Sequence, residues 1–466
     1  MNTEQRWTLA LTSVASLMVG LDALVVTTAL NTIRLHLGAS MADLEWTVNA
    51  YTLTFAMLML TAAAIGDRIG RRTLLLAGLG LFTAASAGCA LAPDIAVLIA
   101  ARAVQGVGSA MVMPAALSLI GGVFGPEQRG RAMGVFAGVT GLAILGGPVL
   151  GGVVVQGMAW EWIFWLNVPI GAVLIPLAYR RIAESRGPAR PLDPIGLVLS
   201  GLGVLGLVWG LVRGNGSGWG SAEVVGALAG GAVLLAVFVE WELRAPAPML
   251  PMRLFVDRGF GAANLAGFAM TAGIFGAAFF FAQYLQAGLH ESPLAAGVRM
   301  LPWTATLFVI APLAGARMNR IGERRLVVAG LAGEAIGFAW IAAVSGSGYA
   351  VMVAPMMVAG IGISAAMPAV QNAVLNSVEP RSIGTASGVY STMRQLGGAF
   401  GIAVASAVFL AHGGYSSAAA VATGFRAAML VTAALAALGG VAGLAVTRRR
   451  AAVSRQSERV PSAMAE

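Results

Sequence analysis

Apolar residues run along this chain in long blocks, broken by short polar segments in which arginines recur. A helix needs about 20 apolar residues to cross a hydrocarbon core about 30 Å thick, so each block reads as a membrane span. Blocks begin near Trp7, Trp46, Thr73, Ile95, Ala132, Ile163, Ile195, Ala222, Phe260, Gly297, Leu326, Tyr349, Ala386 and Phe425. The pattern predicts an all-α polytopic membrane protein of about 14 spans. The first block follows Arg6 as a secretion signal would. It runs past twenty residues, carries Asp22 and lacks a small-x-small cleavage site, so a retained helix is expected.

Composition sharpens this reading. Of 466 residues, 58% are hydrophobic and 11% charged, against roughly 25% charged in a soluble domain. So few charges cannot cover a globular surface, which excludes a soluble protein. The net charge of +9 falls in the breaks between blocks rather than along one basic face, which argues against nucleic-acid binding. All 29 basic residues are arginine. Without lysine the chain has no Walker A loop and no Schiff-base nucleophile, so an energy source other than its own ATP site is expected. Cys89 is the single cysteine, which leaves no internal disulfide and no cysteine metal site.

The arginines also set an orientation. Loops after even-numbered spans hold Arg68, Arg71 and Arg72; Arg129 and Arg131; Arg180, Arg181, Arg186 and Arg190; Arg244, Arg253 and Arg258; Arg317, Arg320, Arg324 and Arg325; and Arg381. The tail adds Arg448, Arg449 and Arg450, whereas the other loops hold scattered charges such as Arg34, Asp94 and Arg213. The positive-inside rule then places both termini in the cytoplasm, in a multi-pass protein of the cell membrane. Arg68-Ile69-Gly70 recurs as Arg320-Ile321-Gly322 after spans two and ten. That repeat predicts an N-terminal six-helix bundle over 1–190, an inserted helix pair and connector over 191–258, a C-terminal six-helix bundle over 259–447 and a disordered basic tail over 448–466.

Ionisable groups inside spans cost about 2.5–3.5 kcal/mol at a helix centre, so each asks for a partner or a wet cavity. Asp22 and Arg102 are the informative pair. At 1.5 Å per residue, Asp22 lies about 22 Å along the outgoing first span and Arg102 about 10 Å along the returning fourth. In a core about 30 Å thick those depths nearly coincide. The two are expected to lie close together and to couple protonation to conformation. A neighbouring guanidinium favours the ionised carboxylate, and burial away from it favours the protonated form. A permanent ion pair that only fixes packing is the plainer alternative.

Glu334, midway along span eleven, is a candidate second protonation site or a contact for a cationic substrate. Asn49, Tyr51, Gln105, Gln283, Gln286, Gln371, Asn372 and Arg394 are candidate cavity-lining residues, and any one of them could instead be a packing hydrogen bond. Gly147, Pro148, Gly151 and Gly152 predict a bent, closely packed fifth span, a leak-tight hinge in its functional reading. His36, His290 and His412 are expected in solvated loops, without metal-ligand spacing.

These segments together resemble the major facilitator superfamily, in its fourteen-span drug:proton antiporter branch. GDRIGRR at 66–72 is similar to the loop signature between spans two and three, with Asp67, Arg68, Gly70, Arg71 and Arg72 in place and Ala63 where Gly often stands. LIAARAVQGVGSA at 98–110 resembles the span-four signature, whose coupling arginine maps onto Arg102. GPVLGG at 147–152 is similar to the span-five antiporter signature. LDALVVTTALN at 21–31 resembles the first-span signature of the branch, with Asp22 retained and Leu24, Thr27 and Asn31 replacing the usual Thr, Asn and Pro.

The resemblance implies two six-helix bundles plus two helices. It also implies proton-driven export of hydrophobic, often cationic, toxic compounds by alternating access, with no cofactor. In that family reading Asp67 and its neighbours bond across to the other half and stabilise one face-closed state. A monomer working with protons, a small hydrophobic substrate and the bilayer is expected. The alternative on the same fold is an exporter of a metabolite, lipid or siderophore. An enzyme is disfavoured, since no in-span histidine, cysteine cluster or HExxH pattern supplies a catalytic set.

Overall fold

In the computed structural model, residues 1–187, 192–378 and 383–446 are described. Arg190, Arg381 and the tail from Arg448 onward lie outside them. Among the described residues, fourteen helices are long and apolar enough to cross a membrane. They are α1 (Thr3–Leu37), α2 (Met41–Ile69), α3 (Arg71–Ala90), α4 (Ile95–Val123), α5 (Pro126–Gly157), α6 (Trp162–Arg181), α7 (Pro194–Ser217), α8 (Ala222–Arg244), α9 (Arg258–Gly288), α10 (Pro293–Met318), α11 (Glu323–Val344), α12 (Tyr349–Asn376), α13 (Thr385–His412) and α14 (Ala418–Gly443). Helices α1–α6 pack mainly on one another, as do α9–α14, while α7 and α8 pack together and α7 also lies against α2 and α13.

Local chemistry sets most helix starts. Ser40 and Asp43 form a capping box on α2, and Asp94, Asp193, Ser221, Asp257, Ser292 and Ser417 each accept a backbone N–H at the start of α4, α7, α8, α9, α10 and α14. The Ser417 cap starts α14 seven residues before the apolar run at Phe425, so Arg426 lies inside the helix. His36 and His412 sit in the last turns of α1 and α13 rather than in loops, whereas His290 is in a loop with φ of 56°.

The two Arg-Ile-Gly turns share a backbone. Gly70 has φ of 119° and Gly322 has φ of 89°, values that glycine tolerates and side chains do not. Gly70 alone separates the helix ending at Ile69 from the one starting at Arg71, and Gly322 alone separates Glu323 from the helical run that continues past the α10 span to Ile321. The repeat read in the sequence is therefore present in the geometry of both turns.

The apolar cores divide the molecule by depth. At the end away from the chain termini, one core joins Val25–Ile33 of α1, Met41–Val48 of α2 and Val154 of α5 to Ala277–Leu285 of α9, Ala296–Trp303 of α10 and Phe409 of α13. At the arginine-rich end the halves have separate cores. One runs through Leu11–Val19, Tyr51–Met59, Leu74–Phe82 and Ala110–Leu119; the other runs through Phe260–Met270, Leu326–Leu331 and Ala366–Val374. The halves are thus sealed together at one end and individually packed at the other.

Candidate functional site

Asp22 and Arg102 meet where the shared core gives way to the separate ones. On α1 Asp22 lies between Val19 and Val25, which belong to different cores, and on α4 Arg102 lies between Leu98 and Ala110. Both side chains are buried, and Arg102 Nη1 forms an ion pair with Asp22 Oδ2. Gln105, one turn along α4, accepts from Arg102 Nη1 at 2.7 Å and donates Nε2 to Asp22 Oδ1 at 2.8 Å. Asn167 of α6 donates to the same Oδ1 at 2.8 Å. Ser86 of α3 accepts from Gln105 at 2.9 Å and from Asn167 at 3.3 Å.

Arg102 is held equally firmly on its other face. Its Nε donates to the Thr47 carbonyl of α2 at 3.1 Å, and its guanidinium lies 4.3 Å from the Tyr51 ring centroid. Tyr51 Oη accepts from Ser109 at 2.9 Å and donates to the Val19 carbonyl at 3.2 Å. Cys89 Sγ lies 3.7 Å from Gln105. Five helices of the first half therefore converge on one carboxylate and one guanidinium, and Arg102 Nη2 is left without a hydrogen-bond partner. Neutralising the carboxylate would remove the charge that these donors surround and loosen α1 from α4 and α6.

Glu334 occupies the corresponding depth in the second half, between Leu331 of the separate core and Phe338 of the shared one. It is fully buried, and both carboxyl oxygens lack a partner. A Cβ on Gly273 of α9 would come within 2.7 Å of Glu334 Oε1, so the carboxyl fills the space that this glycine leaves.

The remaining candidates fall into different places. Gln105 and Tyr51, read as cavity-lining, belong to the Asp22–Arg102 network. Gln286 donates Nε2 to the Thr28 carbonyl at 2.9 Å, a bond between the halves inside the shared core. Gln283 accepts from Tyr415. Asn372 donates to Glu323 at the arginine-rich end, Gln371 is exposed, and Arg394 lies 5.6 Å from the Tyr390 ring with Nε unpartnered. Asn49 is fully buried with both amide atoms unpartnered.

One turn from Asn49, Glu45 was not singled out in the sequence. Its carboxyl is fully buried in the shared core, beside Ser406 of α13 but not aligned to bond with it. The signal was slight: an acid directly before the apolar block at Trp46, masked by the capping Asp43 two residues before.

The span-five glycines make two kinds of contact. A Cβ at Gly147 would meet Leu24 of α1, and one at Gly151 would meet Thr28 and the Val25 carbonyl, so both set the α1–α5 spacing. Gly152 faces the other half: its Cβ would come within 2.7 Å of the Leu294 Cα, and a Cβ on Gly297 would strike the Pro148 carbonyl. Here backbone meets backbone across the seam.

In the loop signature, Asp67 Oδ1 accepts Arg71 Nε at 3.0 Å and Nη2 at 2.8 Å, and the Asp67 carbonyl accepts Gly187 N–H at 3.1 Å. Arg71 N–H donates to the Ser185 carbonyl at 2.8 Å, Arg72 Nη1 donates to the Ile182 carbonyl at 3.2 Å, and Arg68 is exposed. Among the described residues these bonds stay within the first half: no bond of Asp67, Arg71 or Arg72 crosses to the other half, in keeping with the separate cores at that end.

Glu184 replaces the missing N-cap of α3 from far along the chain. It accepts Arg72 N–H at 2.9 Å, Thr73 N–H at 3.0 Å and Thr73 Oγ1 at 2.6 Å. Partial burial pushes its carboxyl up, but the hydrogen bonds from Thr73, Arg72 and Ser185 together hold it below the ordinary glutamate range. A lowered folded value means that the cap contributes fully above the ordinary range and fades as pH falls through the lowered one. Glu184→Ala is expected to cost about 1 kcal/mol at neutral pH. The difference from wild type, read as thermal unfolding of the purified protein, should shrink on acidification; a pH-independent difference would refute the capping role.

A helical membrane protein with two six-helix halves, ionisable groups at the depth where those halves part, and a seam of glycines is built as a transporter, not an enzyme. The chain belongs to the Major Facilitator Superfamily, whose sequence profile matches residues 12–286 and 263–465. It is 31% identical over 402 residues to a tetracenomycin C resistance and export protein of Streptomyces glaucescens, covering 85% of this chain and 74% of that one. It is 35% identical over 396 residues to a methylenomycin A resistance protein of Streptomyces coelicolor, covering 84% and 83%. A bacterial homologue of the human lysosomal transporter Spinster, solved in an inward-facing and occupied conformation, shares the fold with a TM-score of 0.70 at 17% identity, over 96% of this chain and 97% of that one.

Proposed function

We propose that this transporter is a proton-coupled antiporter that exports hydrophobic drugs or antibiotics, cationic ones among them, across the cytoplasmic membrane by alternating access. The observation that carries the coupling is the buried Asp22–Arg102 pair, held by donors from α4 and α6 at the depth where the halves separate. A proton arriving on Asp22 cancels the charge that Arg102, Gln105 and Asn167 surround, and α1 is then free to shift against α4 and α6. Glu334 is the second candidate proton carrier. It has no cation within ion-pair distance among the described residues, so it suits a neutral carboxyl in one state and a cation contact in another.

With both termini in the cytoplasm, as the arginine-bearing loops favour, the shared core becomes the outer seal and the conformation is inward-facing. No cofactor is invoked; the proton gradient supplies the work. The similarity to proteins named for tetracenomycin C and methylenomycin A resistance favours an antibiotic cargo.

The test is expression in a drug-sensitised host challenged with a panel of dyes and antibiotics, with and without a protonophore. Resistance that vanishes when the gradient collapses is the expected result. Resistance that survives collapse would overturn the energetics while leaving the exporter fold intact.

A further inference from the structure

Arg426 is a charge in an unusual place. It lies eight residues inside α14, is exposed, and makes no ion pair or hydrogen bond among the described residues. At 1.5 Å per residue the 26-residue α14 is about 39 Å long, roughly 9 Å more than the hydrocarbon core. Overhanging equally at both ends, it places the Arg426 Cα about 8 Å below the hydrocarbon edge, within reach of the headgroup layer for an extended arginine. A guanidinium on a membrane-facing surface needs an anion, and the described residues supply none.

The surface around it has the shape of an amphiphile. Arg426, His412 and Thr423 lie at the upper end of a groove of about 550 Å³ between α13 and α14, and Leu430, Val431 and Ala434 continue it along α14 toward the bilayer centre. His412 Nδ1 bonds the Val408 carbonyl of its own helix at 3.0 Å, which leaves Nε2 free to accept from a hydroxyl. The upper end offers guanidinium donors for a phosphate, and the lower end is lined by the apolar side chains of Leu430, Val431 and Ala434.

We infer that this groove binds one anionic phospholipid with a hydroxylated headgroup, its phosphate on Arg426, its headgroup hydroxyl near His412 and one acyl chain along Leu430 to Ala434. The site is independent of the proposed cargo and of which leaflet it faces. It is placed to matter, because the same helix α13 carries Ser406 and Phe409 of the seam between the halves.

The test uses the purified full chain titrated with phosphatidylglycerol or phosphatidylcholine in mixed micelles, with bound lipid counted by native mass spectrometry. Phosphatidylglycerol is expected to bind in preference, and Arg426→Gln should weaken it about fivefold while weakening phosphatidylcholine, whose own choline already offsets its phosphate, by less. Arg426→Lys should retain most of the binding, and inorganic phosphate, lacking the chain, should neither bind measurably nor displace the lipid. Equal phosphatidylglycerol binding by Arg426→Gln and wild type, or displacement by inorganic phosphate, would overturn the assignment. The unfolding temperature without lipid should be the same in all variants, since Arg426 has no partner to lose among the described residues.

Discussion

Arg102→Ala should destabilise the protein by about 3–5 kcal/mol and abolish transport, because it leaves the Asp22 carboxylate buried without its cation. Asp22→Asn should be milder in stability and as severe in function. Its amide oxygen can still accept from Arg102 Nη1, while its amide nitrogen turns donor against donor toward Gln105 and Asn167, so the fold persists with a frustrated network. Insertion and detergent-purified yield should remain near wild type, but drug-dependent proton flux in proteoliposomes should be lost. Retained counterflow with retained proton flux in Asp22→Asn would reduce the pair to a packing device. The combined variant adds a second check: if the residues act as one unit, its loss of stability will be well below the sum of the singles.

Gly152→Val and Gly297→Val should each reduce transport more than tenfold without unfolding the halves. The new side chains strike backbone of the opposite half, Pro293 and Leu294 in one case and Pro148 and Val149 in the other, and backbone inside packed helices cannot yield as a flexible side chain would. What fails is the seal. A cysteine placed at Leu30 of the shared core, in a Cys89→Ala background, should be protected from an impermeant maleimide in the parent and react readily in either variant. Gly141→Val is the control, because nothing lies within 4 Å of its Cβ position and both labelling and transport should stay unchanged. Protection of Leu30→Cys in the valine variants would mean that the seam closes elsewhere.

Much of this architecture was legible before any coordinates. Span positions follow from apolar blocks long enough to cross lipid, and the encounter of Asp22 with Arg102 follows from counting rise along two antiparallel helices. Depth is a one-dimensional quantity that sequence carries well; azimuth is not. Nothing local marks Asn167 or Ser86 as turning toward Asp22, because a single polar residue in an apolar helix can face any neighbour. The same ignorance of azimuth left Gln105 and Gln286 open between a cavity and a packing bond, when one grips the ion pair and the other ties α9 to α1. Glu184 was beyond local reasoning, since its partners lie more than a hundred residues upstream and the start of α3 carries no cap of its own to signal the need.

The inserted helices leave one asymmetry with a consequence. Helix α7 touches both halves at once: Trp209 lies 5.5 Å from Trp46 of α2, Asn215 donates to the Ala407 carbonyl of α13, and Val208 and Val212 pack with Leu53, Ala399 and Ala403. It therefore covers one flank of the molecule like a shutter, whereas among the described residues neither inserted helix packs against α5 or α10. A lipid-dissolved cargo drifting in from the bilayer would meet a closed wall on the α2–α13 side. Any sideways route would lie on the α5–α10 side at the end away from the glycine seam, where the halves have separate cores.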